Sequence, residues 1–385
     1  MTVSNARTLP LVFALLSACA QRTTPATDTS AEPAREAAQF PGGWRLPAGA
    51  SSTFASHAMA VSNSPEASAA AAEIMKAGGN AVDAAVALGF ALAVAWPEAG
   101  NIGGGGYSIV HMADGRTAAI DYREVAPLAA TRNMYVDANG KVTDRSIEGH
   151  LASGVPGAVA GLNLLLETYG TMPLSRVMQP AITLARDGFV IDTALAGSMS
   201  RAAVTVTRNS PVTPYFTNGQ ALPAGARLVQ PDLARTLQAI ADYGAKAFYE
   251  GWIADSLVAE QQRGGGIITR ADLKAYTPVP RNAIASTYRG YRLLAMPPSS
   301  SGGVTMTEAL NILEQYSTMP AYGSTRWFHL VGSAFQRAFI DRNSKLGDPA
   351  FVNVPMAQLT SKAYAKTLAA TINDARATRT NALEP

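Results

Sequence analysis

The residues best suited to ligand chemistry fall in a few short stretches. Arg123 stands in "DYREVAP", residues 121–127. A guanidinium there can grip a carboxylate through two parallel charge-assisted hydrogen bonds, a geometry lysine cannot reproduce. The plainer use is an internal ion pair with Asp121 or Glu124. "PPSSSGG", residues 297–303, offers hydroxyls, free N–H groups and a helix start. It suits anion or backbone contact, or simply a rigid turn and cap. The glycine run at 103–106 is no phosphate cradle, because such glycines follow a strand and open a helix, whereas these feed the extended run "YSIV". They remain open to two uses: close packing with unusual dihedrals beside a pocket, or a tight structural lead-in to an interior strand. His57, His111, His150 and His329 lack close metal-ligand spacing and are expected in structural or surface roles. No "GxSxG" elbow or glycosidase-type carboxylate pair stands out, so neither metal nor cofactor is expected.

Those residues need elements to hold them. "SPEASAAAAEIMKAGG", residues 64–79, predicts a helix with Ser64 as cap, Pro65 in the first turn and Gly78 closing it. Asn80 starts a second helix over 81–96, apolar almost all round with Asp83 its lone charge, which marks it as scaffold beneath a sheet. "YSIVHM" and "TAAIDYR", residues 107–112 and 117–123, predict a hairpin about "ADGR" with both faces covered. A period of two sets Thr117, Ala119, Asp121 and Arg123 on one face, so Arg123 leaves a buried sheet at its rim. Further helices are predicted over 156–170, over 173–188 with a proline break, and over 233–244, 245–265, 299–316, 324–343 and 361–374. An extended segment is predicted over 287–298. The pattern is one mixed α/β unit, helices on both faces of antiparallel sheet, without an internal repeat.

The 385 residues, 48% hydrophobic and 15% charged, can bury one large core or two moderate ones. A formal charge of +3 and no dense Lys/Arg block make nucleic acid a poor partner. The start reads separately. Arg7 precedes "LPLVFALLSACA", residues 9–20, an export-type run too short to span a membrane as a helix. "LLSAC", ending at Cys19, resembles a bacterial lipoprotein signal in which the thiol becomes the lipid attachment point. Ordinary cleavage near Ala18 or Ala20, leaving a soluble periplasmic protein, is the other reading. The expected organisation is a signal peptide at 1–19, a flexible tether at 20–50 and the folded region at 51–385. The expected location is the periplasm or cell envelope, as an outer-membrane lipoprotein.

Six stretches carry a wider resemblance: "GGNAVDAAVALGFALAVAWPEAGNIGGGGYSIV" (78–110), "AIDYREVAP" (119–127), "HLASGVPGAVAG" (150–161), "YGTMPLSRVMQPAITLARDGF" (169–189), "PPSSSGG" (297–303) and "DRNSKLGDPAFVNVP" (341–355). In that order they resemble the large, N-terminal portion of a bacterial γ-glutamyltranspeptidase, or glutathione hydrolase. The resemblance implies an α+β, four-layer αββα N-terminal-nucleophile hydrolase fold, of which this chain is the large-subunit part only. It implies a precursor that cuts itself before a threonine, and a heterodimer with the small subunit so released. That threonine attacks the γ-glutamyl amide of glutathione or related donors, and water or an amino acid or peptide amine takes the acyl group. Arg123 matches the family's arginine for the donor's α-carboxylate, with Tyr122 where a Phe is common. The family's Thr-Thr-His junction is not seen in "DARATRTNALEP", so this chain alone is expected to be inactive. The competing expectations are a cephalosporin or glutaryl acylase of the same fold, and a non-catalytic surface lipoprotein.

Overall fold

The computed structural model describes residues 53–210 and 213–383. The signal-like run with Cys19 and the tether at 20–50 lie outside the described residues.

Helix α1 (Pro65–Lys76) begins where Ser64 Oγ accepts from the Ala67 N–H at 3.2 Å, and Gly78 beyond it has φ +93°. Few side chains tolerate that backbone, so glycine closes the helix there. Helix α2 (Ala81–Ala95) is capped reciprocally. Asn80 Oδ1 accepts from the Val82 and Asp83 N–H groups at 2.8 and 3.0 Å, and Asp83 Oδ2 accepts from the Asn80 N–H at 2.7 Å. Asp83 is fully buried and also accepts from the Thr171 N–H, the Thr171 hydroxyl and the Met172 N–H at 2.8, 2.6 and 3.1 Å. Burial by itself would raise its pKa, but these hydrogen bonds outweigh burial and hold the carboxylate below its usual range. The lone charge of α2 is therefore the clamp that fastens the loop after α3 (Ala158–Tyr169) onto the first helices.

Strands β1 (Tyr107–His111) and β2 (Thr117–Asp121) pair antiparallel, Tyr107 opposite Asp121 and His111 opposite Thr117. A later strand, β7 (Val279–Arg281), joins the other edge of β2 with Arg281 opposite Ala119. Ala119 and Ile120 are both buried, so the middle strand is covered on both faces as predicted, whereas β1 leaves Ile109 exposed.

The predicted helix at 173–188 is two helices, α4 (Leu174–Val177) and α5 (Gln179–Asp187), the break falling just before Pro180. Helix α6 (Thr193–Asn209) has no counterpart among the predicted helices, because its Gly, Ser, Thr and Val content is poor in helix formers. Asp192 starts it by accepting from the Leu195 N–H at 2.7 Å. Two short ribbons follow, β3 (Phe189–Val190) with β6 (Arg227–Leu228) and β4 (Phe216–Thr217) with β5 (Gln220–Ala221). Then come α7 (Pro231–Tyr243), α8 (Lys246–Tyr249), α9 (Gly251–Arg263) and α10 (Arg270–Ala275).

The extended segment at 287–298 belongs to a hairpin of β8 (Ile284–Tyr288) and β9 (Tyr291–Ala295), turning at Arg289 and Gly290 with φ +48° and +86°. Helices α11 (Gly302–Leu313), α12 (Thr325–Lys345), α13 (Met356–Leu359) and α14 (Lys362–Ala369) complete the described chain. Burial is divided among three clusters. The largest runs from α1 to α10 through the sheet; a second joins Ile312, Leu313, Leu330, Ala334 and Ala365; a third joins Ile284, Ala295, Val304 and Leu359.

Asp83→Ala strands several buried donors at once. It is expected to lower unfolding free energy by about 3 kcal/mol, measured by urea denaturation.

Candidate functional site

Asp121, the last residue of β2, is buried and organises the site. Its Oδ2 accepts from Arg281 Nε at 2.8 Å and from the Ser299 hydroxyl at 3.0 Å, and its Oδ1 accepts from the Arg123 N–H at 3.1 Å. Of the two internal ion pairs that the sequence left open for Arg123, the one with Asp121 is taken by Arg281, from β7, whereas the one with Glu124 forms. The Arg123 backbone is fixed a second time, its carbonyl accepting from the Tyr276 hydroxyl at 2.9 Å.

The glycine run explains how this segment is reached. The β1–β2 ladder continues one pair further, Gly106 N–H to Tyr122 carbonyl at 3.2 Å and Tyr122 N–H to Gly106 carbonyl at 3.0 Å. A Cβ on Gly105 would lie 2.4 Å from the Tyr122 carbonyl oxygen and 2.8 Å from the Glu124 nitrogen, distances real side chains do not adopt. Residues 103–106 all lack positive φ. Gly105 thus serves close backbone approach, and Gly104 and Gly106 make room for the side chains of Asn101, Glu124 and Tyr122; the expected unusual dihedrals are not found. Gly104 also receives the Gly157 and Ala158 N–H groups on its carbonyl at 2.7 and 2.9 Å, which seats the start of α3 against the same segment.

So held, Arg123 projects into a cavity of about 410 Å³ lined by Tyr107, Arg123, Ser299, Ser300, Ser301, Arg342, Asn343, Leu346 and Gly347. Its side chain is 61% exposed, its Nε lies 3.1 Å from the Glu124 carboxylate, and its guanidinium carbon sits 6.0 Å from the Tyr107 ring centre. Contact with Tyr107, foremost, and the Glu124 charge raise its already high pKa. A pair this exposed contributes little stability, so a ligand carboxylate can replace Glu124 at small cost.

The serine turn is both a cap and a wall of the cavity. Ser300 Oγ accepts from the Gly302 N–H at 3.3 Å, and Ser301 Oγ accepts from Arg342 Nε at 3.0 Å. Ser299 donates to Asp121, so its hydroxyl accepts the 2.9 Å hydrogen bond from Tyr107. Among the described residues no His, Asp, Glu or Lys lines the cavity, and Asp121, the carboxylate that meets Ser299, is already committed to Arg281 and the Arg123 N–H. His150 instead meets Glu260 at 2.8 Å, and His329 meets the Asn373 carbonyl at 2.8 Å. The lining sets two guanidiniums beside four hydroxyls, a donor set whose chemistry suits an anion.

Sequence reasoning missed Arg342 and the hub role of Asp121. Arg342 did lie inside the family-like stretch 341–355, so the signal was present without a role attached.

A family model described as gamma-glutamyltranspeptidase matches residues 67–385. The chain is 46% identical over 317 residues to the glutathione hydrolase proenzyme of Escherichia coli (strain K12), covering 81% of this chain and 55% of that protein. It is 44% identical over 319 residues to the acylase ACY 1 proenzyme of Pseudomonas sp. (strain SE83), covering 80% and 57%. The chain therefore spans a little over half the length of these curated relatives. Among solved structures, the γ-glutamyltranspeptidase of Helicobacter pylori superimposes with a TM-score of 0.85 at 40% identity, covering 87% of this chain and 97% of that one. The fold is accordingly that of the N-terminal-nucleophile hydrolases of this type; among the described residues, its sheet around Arg123 has three strands.

Asp121→Ala leaves the Arg281 guanidinium, whose side chain is only 22% exposed, without its counter-charge and releases Ser299. A loss of about 2–3 kcal/mol in unfolding free energy is expected in chemical denaturation.

Proposed function

The chain belongs to the γ-glutamyltranspeptidase family, and from that premise we propose that it is the carboxylate-binding large part of a γ-glutamyltransferase and glutathione hydrolase. The observation that carries this reading is the accessible Arg123 guanidinium at the rim of the sheet, with its backbone held on both sides and, among the described residues, Glu124 as its ionic partner. In this reading Arg123 forms a two-pronged bond with the α-carboxylate of the γ-glutamyl group, which places the scissile amide at a fixed distance from the reacting hydroxyl.

The nucleophile is a threonine at the N-terminus of a small subunit cut from the same precursor, and the working enzyme is the heterodimer. The threonine oxygen bonds to the γ-carbonyl carbon while its proton passes to the threonine's own α-amine. The amide C–N bond then breaks, and the leaving amine departs with that proton. Water or an amino acid or peptide amine attacks the resulting γ-glutamyl ester and releases the threonine. Among the described residues no His, Asp, Glu or Lys lines the cavity, which agrees with a binding role for this part and a catalytic role for its companion.

An acylase is the second reading, favoured by the near-equal identity to the Pseudomonas acylase. A glutaryl amide differs from a γ-glutamyl amide only in lacking the α-ammonium, so an arginine accepts both. Discrimination requires an acid for that ammonium, which in this proposal comes from the companion subunit. The lipid anchor is a further part of the proposal: Cys19 would carry it and hold the enzyme at the cell envelope.

In the whole precursor, Arg123→Ala is expected to lower kcat/KM for a γ-glutamyl anilide about 100-fold, mostly through KM, as befits about 2–3 kcal/mol of charge-assisted hydrogen bonding. Arg123→Lys should recover only part of it. Unchanged kinetics would remove the clamp, and equal turnover of a glutaryl anilide would favour the acylase. Separately, fatty-acid labelling of the expressed protein should vanish in Cys19→Ser; label retained in that variant defeats the anchor.

A further inference from the structure

Glu308 takes no part in the acyl-transfer chemistry, yet it is the most unusual acid in the described chain. It lies on α11 and is 1% exposed, and its Oε1 has no hydrogen-bond partner among the described residues. Asn311, on the same face one turn on, has a second orphaned acceptor in Oδ1, while its Nδ2 donates to the Thr360 carbonyl at 2.9 Å. Facing Glu308 from α12 is Asp341, 3% exposed, with which it shares a hydrogen bond.

Asp341 is already well supplied. Its Oδ1 accepts from Lys345 Nζ at 2.7 Å, and its Oδ2 accepts from the Tyr364 hydroxyl of α14 at 2.7 Å. Two carboxylates in direct hydrogen-bond contact need a proton between them, and the one with the better donors stays charged. The ammonium and the phenol both face Asp341, so the proton resides on Glu308. Burial first, and then the Asp341 charge, push Glu308 up to about 8, with Lys345 opposing.

Most of the other charged and titratable groups on the elements packed against α11 have partners of their own or lie at the hairpin turn. Lys362 of α14 pairs with Glu314, the cap of α11, and Arg337 of α12 donates to Thr371. Lys366 stands on α14, Tyr288, Tyr291 and Arg292 stand by the β8–β9 turn, and α13 has no titratable side chain.

The position of this pair matters for the cavity. Helix α11 starts directly after the serine turn, and Arg342, which reaches Ser301, follows Asp341 in α12. We propose that Glu308 works as a neutral acid whose proton is shared with Asp341, and that it is a positioning residue. The bond holds α11 to the last turns of α12 so that Arg342 and the serine turn keep their places in the cavity. The functional half of this inference rests on reading that cavity as the donor site.

Glu308→Gln in the whole precursor tests it, because glutamine keeps an N–H donor toward Asp341 that no pH removes. An acid neutral in the folded state and ionised in the unfolded state stabilises fully below about pH 4.5, and the contribution is lost as pH rises to about 8. Wild-type Tm should therefore fall relative to the glutamine variant between pH 5 and 8, and the gap should stop widening above that. KM for a γ-glutamyl anilide should rise at least threefold more in wild type than in the variant between pH 7 and 9. A Tm gap independent of pH overturns the shared proton. A pH-dependent gap with parallel KM profiles overturns the positioning role. Failure of the donor-site reading shows separately, as wild-type kinetics in Arg123→Ala, and the melting comparison still decides the proton.

Discussion

Asp121 is the constraint on which the cavity depends. One buried carboxylate gathers a guanidinium from a distant strand, a hydroxyl from the serine turn and the backbone N–H of Arg123. These donors lie 160, 178 and 2 residues away in the chain, so a single anion fixes the relative placement of three separate segments. Satisfied networks of this kind are rigid because the loss of any member leaves the others buried and unpaired. Asp121 stands opposite Tyr107, which also bonds to Ser299, so strand register and cavity wall are set by the same pairing.

The hub also decides which arginine is available. Arg281, with its side chain 22% exposed, neutralises Asp121, while among the described residues Arg123 pairs with Glu124, where solvent reaches the guanidinium. If the two arginines exchanged partners, the rim would lose its accessible fork. Burial thus assigns one guanidinium to structure and leaves its neighbour for ligands.

Much of this was legible in the sequence where the determinants are local. The caps at Ser64 and Asn80, the left-handed Gly78, the break ahead of Pro180 and the first hairpin all arise from residues within a few positions of one another. The placement of Arg123 at the rim came from strand periodicity alone. The turn at Arg289 was illegible because a non-glycine residue with positive φ gives no warning, and its Arg289 N–H is satisfied by Glu314, 25 residues away. Asp121 could be placed on the right face but not recognised as a hub, since its partners come from the other end of the chain. Arg342 and the serine turn lie in stretches that the family resemblance picks out, and proximity in space gives both a purpose.

The division of the interior into separate apolar clusters has a mechanical side. Arg123 leaves a strand embedded in the largest cluster, whereas Arg342 rides on a helix whose side chains fill another. An anion spanning both guanidiniums would act as a staple across that seam, resisting any sliding of one body over the other. Binding energy would then appear as added stability, and melting would move to higher temperature with occupancy, as mass action requires of a ligand that only the folded arrangement can hold.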